Sequence, residues 1–321
     1  MELIKPGTKI PFTKYRHIAV ALSTLVNLGV LLFLIIQGPK WGVDFAGGTL
    51  VHLKLQQKAS IADIRSALGS LATSDMVIQD FGQRGSNEFL VRVGKTSVEI
   101  GALGAQIRTN LAQRFGEKGF EIRRIESVGP KVGADLRQKG TLSVIAATVM
   151  MGAYIWLRFE LRFGLGAVVS LIHDVLVTIG ALLLAHYEFD LTIVAALLTI
   201  VGYSVNDTVI VCDRIRENMR KIKRESLESI INTSINETLS RTIITVSTAI
   251  MVLIALFFLG GAVIRPFAFA LLVGFSSGVY STIFIASPVI LFWEKSTSKS
   301  NGQSVTYRHR SSPGRRIENR L

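Results

Sequence analysis

Two carboxylates and one guanidinium stand where the surrounding sequence is apolar: Asp174 in SLIHDVLV, Asp207 in GYSVNDTVIVCDRIREN and Arg241 in SRTIITVSTA. An ionisable group at membrane depth costs about 2.5–3.5 kcal/mol on insertion scales, so it faces protein or water and tends to handle ions or protons. Asp207 precedes Asp213 by about six residues, which puts it roughly 9 Å inside the cytoplasmic edge of its span. Packing alone would be served more cheaply by the neighbouring Asn206, so the charge itself has a use. Asp174, with His173 beside it, lies about 11 residues into its own run and near the bilayer centre. It is either a titratable site or a buried Asp hydrogen-bonded to a neighbouring helix. Arg241 opens a span at a depth matching Asp207. It is either an ordinary basic boundary residue that snorkels or the partner that keeps Asp207 ionised until the pair breaks.

The elements that must position these groups are membrane helices. Hydrophobic residues make up 49% of the chain and the mean hydropathy is +0.42, and several apolar runs approach the length of about 20 residues that spans a bilayer. Basic residues followed by the run 17–36 raise the question of a cleaved signal. The expectation is a retained first transmembrane helix, since Gln37, Gly38, Pro39 and Lys40 read as a helix stop. The section 41–139 is too polar and too long for a loop. Its pattern predicts strands at 49–55, 76–81, 88–93 and 120–127 and helices at 60–71 and 97–115, with a Gly82/Gly85 turn between the second and third strands. That order, β-α-β-β-α-β, is the ferredoxin-like split βαβ pattern. With no His cluster, nucleophile elbow or phosphate-cradling loop, this domain reads as a binding or lever module.

Five further spans follow, at 141–157, 165–185, 191–211, 242–261 and 266–293. The fold expected is an α-helical polytopic membrane protein with six transmembrane helices and an α+β periplasmic domain between the first two. The division is a cytoplasmic N-terminus (1–16), helix one (17–36), the periplasmic domain (37–139), a five-helix transmembrane domain (140–293) and a cytoplasmic basic tail (294–321). The net charge of +13 is topological. Arg158 and Arg162 flank one tight loop, and Arg214, Arg216, Arg220, Lys221, Lys223 and Arg224 lie in another, whereas the loop 186–190 has no Lys or Arg. The positive-inside rule then puts both termini in the cytoplasm. The Ser-, Lys- and Arg-rich tail is expected to lie against anionic lipid, with no nucleic-acid partner. The single cysteine, Cys212, excludes an internal disulfide and a Cys-based metal site. Gly274 and Gly278 form a G-x-x-x-G face for close helix packing.

Three motifs carry a resemblance. GVDFAGGT at 42–49, GYSVNDTVIVCDRIREN at 202–218 and LSRTIITVSTA at 239–249 resemble, in this order, the SecF family of protein-export membrane subunits, over nearly the whole chain. The resemblance implies kinship with resistance-nodulation-division transporters and a non-enzymatic role without cofactor or metal. The implied setting is the bacterial inner membrane, beside the SecYEG channel, with SecD and usually YajC as partners. The implied work is use of the proton motive force in the late steps of preprotein translocation. The family's intramembrane Asp falls on Asp207, its Arg on Arg241, and its HDV segment on His173, Asp174 and Val175. Cys212 stands where the family more often has an aromatic or aliphatic residue, and the basic tail lies outside the shared pattern. Two competing classes are a proton-driven small-molecule or lipid exporter, which usually carries two such halves in one chain, and an intramembrane aspartyl protease. The latter's G-x-G-D motif is absent, since Ser204, Val205 and Asn206 precede Asp207.

Overall fold

The computed structural model describes residues 9–69, 76–81, 86–94, 100–222 and 225–300. The tail beyond 300, the Gly82/Gly85 turn and the positions Lys223 and Arg224 lie outside the described residues. Helix α1, Arg16–Ile36, leads into a single-turn helix α2, Val43–Ala46. Then follow β1 (Gly48–Leu55), α3 (Ile61–Ala67), β2 (Val77–Phe81), β3 (Glu88–Val93), α4 (Ile100–Phe115) and β4 (Phe120–Val128). The sheet order is β2-β3-β1-β4 with every pairing antiparallel, the strand arrangement of a split βαβ unit. Burial alternates strictly along β1, and its inward residues Val51, Leu53 and Leu55 share a core with Ile64 of α3, with Leu68 just after it, and with Leu103, Ile107 and Leu111 of α4. Both helices therefore cover one face of the sheet. Ser60 and Asp63 form a reciprocal capping box at the start of α3, and the two Ser60 hydrogen bonds hold the exposed Asp63 carboxyl below its ordinary range.

Five long helices follow: α5 (Pro130–Arg158), α6 (Leu161–Leu184), α7 (Leu191–Lys221), α8 (Leu227–Leu259) and α9 (Gly261–Ser281). A π-helical turn, Thr282–Ala286, joins α9 to α10, Ser287–Ser300. Among the described residues six helical stretches are long and apolar enough to cross a membrane. α5 is continuous from Pro130, so the helix that carries the second apolar run starts ahead of it, within the section 130–139 grouped above with the external domain. Pro130 at its N-terminus removes a donor that the helix could not have used. α8 starts well before the apolar run of its span. α7 and α8 both continue past the apolar zone as a polar pair in which Asn218 donates to Glu237 at 2.6 Å and Arg214 to Glu237 at 2.7 Å.

The two ends of the helix bundle differ. At one end the segment ahead of α1 docks on α8: the Ile10 N–H donates to Asn236 Oδ1 at 2.9 Å, and Arg16 pairs with Glu228. At the other end the β-domain meets the α6–α7 connection, where Arg92 and Glu188 lie 3.4 Å apart and Trp41 bridges to Phe189. The first and fourth connections of the bundle are thus on opposite sides, as an N-terminus and an external domain flanking one helix require.

Gly274 and Gly278 both lie on the α9 face that meets α7, but not equally tightly. A Cβ built at Gly274 would overlap Cδ1 and Cγ1 of Ile200, whereas at Gly278 the nearest atom is Ser204 Cβ at 3.4 Å. Ile200 is β-branched and stiff at χ1, so it has little room to retreat. Gly274→Ala is expected to lower stability by about 1–3 kcal/mol through overpacking. Gly278→Ala should stay within about 0.5 kcal/mol. Thermal unfolding of the two variants in detergent checks this, and equal midpoints would refute the contact.

Candidate functional site

Asp207 sits on the inner side of α7 and is buried. Its Oδ1 accepts a 2.6 Å hydrogen bond from the Thr242 hydroxyl of α8, while Oδ2 is buried with no hydrogen-bond partner among the described residues. Arg241 makes no ion pair with it among the described residues. Position 242, one step of about 100° around the helix, is the one aimed at α7, so Thr242 takes the place that matching depth alone suggests for Arg241. The Arg241 side chain is exposed and acts on Asp207 through space. It lines a cavity of about 510 Å³ together with Arg158, Asp213, Arg214, Glu217 and Glu237. Val209 and Ile210, within the turn after Asp207, also line that cavity. A carboxylate with one free oxygen thus stands close to a polar recess at the end of the bundle where the N-terminus docks.

Asp174 is fully buried and has a different environment. Three hydroxyls converge on its carboxylate: Ser204 of α7 donates at 2.7 Å, and Ser277 and Ser281 of α9 donate at 2.6 and 2.8 Å. His173 Nδ1 lies 3.3 Å from Oδ1, and Ser170 donates to Ser281 at 2.7 Å. This is the arrangement of a hydrogen-bonding hub tying α6, α7 and α9 together. The polar layer continues through Thr208, whose hydroxyl lies 3.0 Å from that of Thr282 at the start of the π-turn. Asp174, on α6, and Asp207, on α7, share no hydrogen bond among the described residues: each carboxylate takes its own hydroxyl partners, unlike the paired carboxylates sharing one proton that aspartyl proteolysis requires. The sequence signal for the hub lay in the serines at 277 and 281, whose value as hydrogen-bond donors was hidden behind their small size. Nothing in the sequence marked Thr242.

The junction between the external domain and the bundle is a second constellation. Gly47 and Gly48 have φ of +73° and +126°, conformations that L side chains rarely adopt. A Cβ at Gly48 would lie 2.6 Å from the Val93 carbonyl oxygen, and one at Gly47 would lie 2.9 Å from Pro130 Cα. The glycine pair therefore lets the start of β1 and the start of α5 pass in contact. Just before it, Asp44 reaches the first residue of α7: the Leu191 N–H donates to Asp44 Oδ2 at 3.0 Å. The same helix end is capped by Asp190, which accepts from the Ile193 N–H at 2.9 Å. Burial raises the Asp190 carboxyl above its ordinary range, and the Asp44 carboxylate adds to the effect.

A family model described as protein export membrane protein SecD/SecF, C-terminal, matches residues 108–296, and a SecD/SecF GG motif model matches 32–59. The chain is 46% identical over 290 residues to the protein translocase subunit SecF of Desulfurispirillum indicum, covering 88% of this chain and 91% of that protein. Against the protein of the same description from Escherichia coli O157:H7 it is 38% identical over 294 residues, covering 91% and 90%. The crystal structure of SecDF, a translocon-associated membrane protein from Thermus thermophilus, matches with a TM-score of 0.80 at 31% identity, covering 90% of this chain. A second SecDF structure, in a super-membrane-facing form, matches with a TM-score of 0.67. The chain spans 39% of the first SecDF chain and 41% of the second.

Proposed function

The chain belongs to the SecF family of protein translocase subunits, a multi-pass membrane protein, and from that premise we propose that it converts the proton motive force into movement of its external domain during late preprotein translocation. The observation that carries this is Asp207, a buried carboxylate in a membrane helix, with one oxygen held by Thr242 and the other without a donor among the described residues. Entry of a proton cancels a charge that the low-dielectric interior tolerates only at a cost. The attraction of Arg241 for Asp207 falls at the same time, which frees α7 and α8 to repack. Asp174 holds the buried layer that keeps α7 in register with α6 and α9 while this happens. In this reading both termini are cytoplasmic, the β-domain lies on the far side of the inner membrane, and no cofactor or bond-making chemistry is involved.

The partner is SecD, as the joint SecDF chains suggest, with the SecYEG channel, YajC and the emerging preprotein around them. Its docking face is the outer side of α7 and α8, where Thr199, Gly202, Asn206, Thr245 and Thr248 are exposed at membrane depth. Small and hydroxyl residues of this kind are poorly matched to lipid tails and well matched to a close-packed helix. A Cβ at Gly202 would meet nothing within 4 Å, so a photo-cross-linking side chain can be placed there without disturbing the fold. Expressed with SecD in membranes, such a chain should yield a SecD adduct, while a cross-linker at Leu157, 82% exposed on α5, should not. Labelling of lipid alone from both positions would remove this face from the proposal. The energy-coupling part is tested by whether export still follows the proton gradient once Asp207 cannot ionise.

A further inference from the structure

We propose that Asp44 is the positioning residue that transmits movement of α7 to the external domain, a latch between the hinge of that domain and the helix that carries Asp207. The inference rests on the energy-coupling reading above and adds the route by which it reaches the domain. Asp44 is 147 positions from Leu191 in sequence and yet caps its N–H. Local helix formation has no need of it, because Asp190 already caps α7. The helix N-terminus attracts a carboxylate, but a second one beside Asp190 brings like-charge repulsion, so a purely stabilising role is poorly served by it. Its neighbours fit a mechanical role better. Gly42 donates to the Phe189 carbonyl at 2.8 Å and Phe189 to the Lys40 carbonyl at 2.7 Å. Trp41 packs edge-on against both Phe45 and Phe189. A few residues further on, the glycine pair turns into β1, the strand on which the sheet is built. Along α7 the distance from Leu191 to Asp207 is about 24 Å at 1.5 Å per residue. A shift of this helix is thus delivered to the Val43–Ala46 turn and then to the sheet, with Arg92 and Glu188 as a second, longer tether.

The test uses the full chain assembled with SecD and the channel, with Cys212 replaced by Ser and spin labels at Lys118, exposed on the external domain, and Leu184, 73% exposed at the end of α6. With Asp44 present, Asp207→Asn should change the distribution of Lys118–Leu184 distances. With Asp44→Ala the distribution should be the same whether residue 207 is Asp or Asn, and gradient-dependent export should fall about tenfold, within the range typical of coupling between sites. Co-purification with SecD should not change. Asp44→Asn keeps an acceptor for the Leu191 N–H but loses the charge, and should fall between the two. It also serves as the informative variant should Asp44→Ala fail to assemble. If Asp44→Ala retains both the distance response and full export, the latch is refuted. If Asp207→Asn leaves gradient-driven export intact while Asp44→Ala changes the Lys118–Leu184 distances, the energy-coupling reading falls and Asp44 remains only as a structural tie. If neither variant alters either measurement, both fall.

Discussion

Asp207→Asn should leave the chain folded and bound to SecD while abolishing the part of export that depends on the proton gradient. The amide is nearly isosteric, and its carbonyl oxygen can accept the Thr242 hydroxyl as Oδ1 does now, so the α7–α8 contact survives. What is lost is ionisation. One elementary charge crossing 100 mV is worth about 2.3 kcal/mol, or roughly 50-fold in an equilibrium at 1.4 kcal/mol per decade. A device using even one such charge therefore has a large effect to lose. The measurement is preprotein translocation into vesicles containing the channel, SecD and this chain, with and without an imposed gradient. Loss of the gradient response with an unchanged rate in the absence of a gradient is the expected result. Export that still follows the gradient in the Asn variant would remove Asp207 from the proton path.

Much of this architecture was legible because its signals are local. The alternation at 49–55 and the start of a helical pattern at Ser60 and Asp63 reported β1 and α3 directly. The start of α5 was not legible, because 130–139 carries Lys131, Asp135, Arg137 and Lys139 and has no apolar run, although its helix is fixed by contact with the hinge. At Gly133 a Cβ would lie 3.0 Å from the Phe45 carbonyl oxygen. The π-turn at Thr282–Ala286 left no trace either, since the apolar run passes through it without a Pro or Gly. For the candidate site, depth was readable and direction was not. Counting residues placed Asp207 and Arg241 at the same level, but which residue of α8 faces α7 depends on helix rotation, and rotation is set by packing with neighbours. One residue of offset was enough to turn Arg241 toward the polar recess and Thr242 toward the carboxylate. Contacts such as Asp44 with Leu191 were beyond reach for the same reason: they join segments with no shared periodicity.

Asp174→Ala is expected to have the largest effect on stability of any substitution in the bundle. The change removes the shared acceptor of Ser204, Ser277 and Ser281, all three of them buried. Interhelical hydrogen bonds in membranes average about 0.6 kcal/mol, which for three bonds gives about 2 kcal/mol. Each donor left dry costs more, about 1–3 kcal/mol, but two of the three have a fallback. Ser281 can turn to the Gly278 carbonyl oxygen at 3.2 Å and Ser277 to His173 Nδ1 at 3.5 Å, whereas Ser204 has no alternative of comparable length on α9. A loss of about 2–5 kcal/mol follows, read as a lowered unfolding midpoint in detergent. Asp174→Asn keeps one carbonyl acceptor and should lose less than half as much. An unchanged midpoint in Asp174→Ala would rule out the hub. The Asn variant separates the two roles this residue could have, because a hub tolerates the amide in proportion to the hydrogen bonds it keeps. A proton carrier does not, and full stability with no gradient response would make Asp174 a second titrating site alongside Asp207.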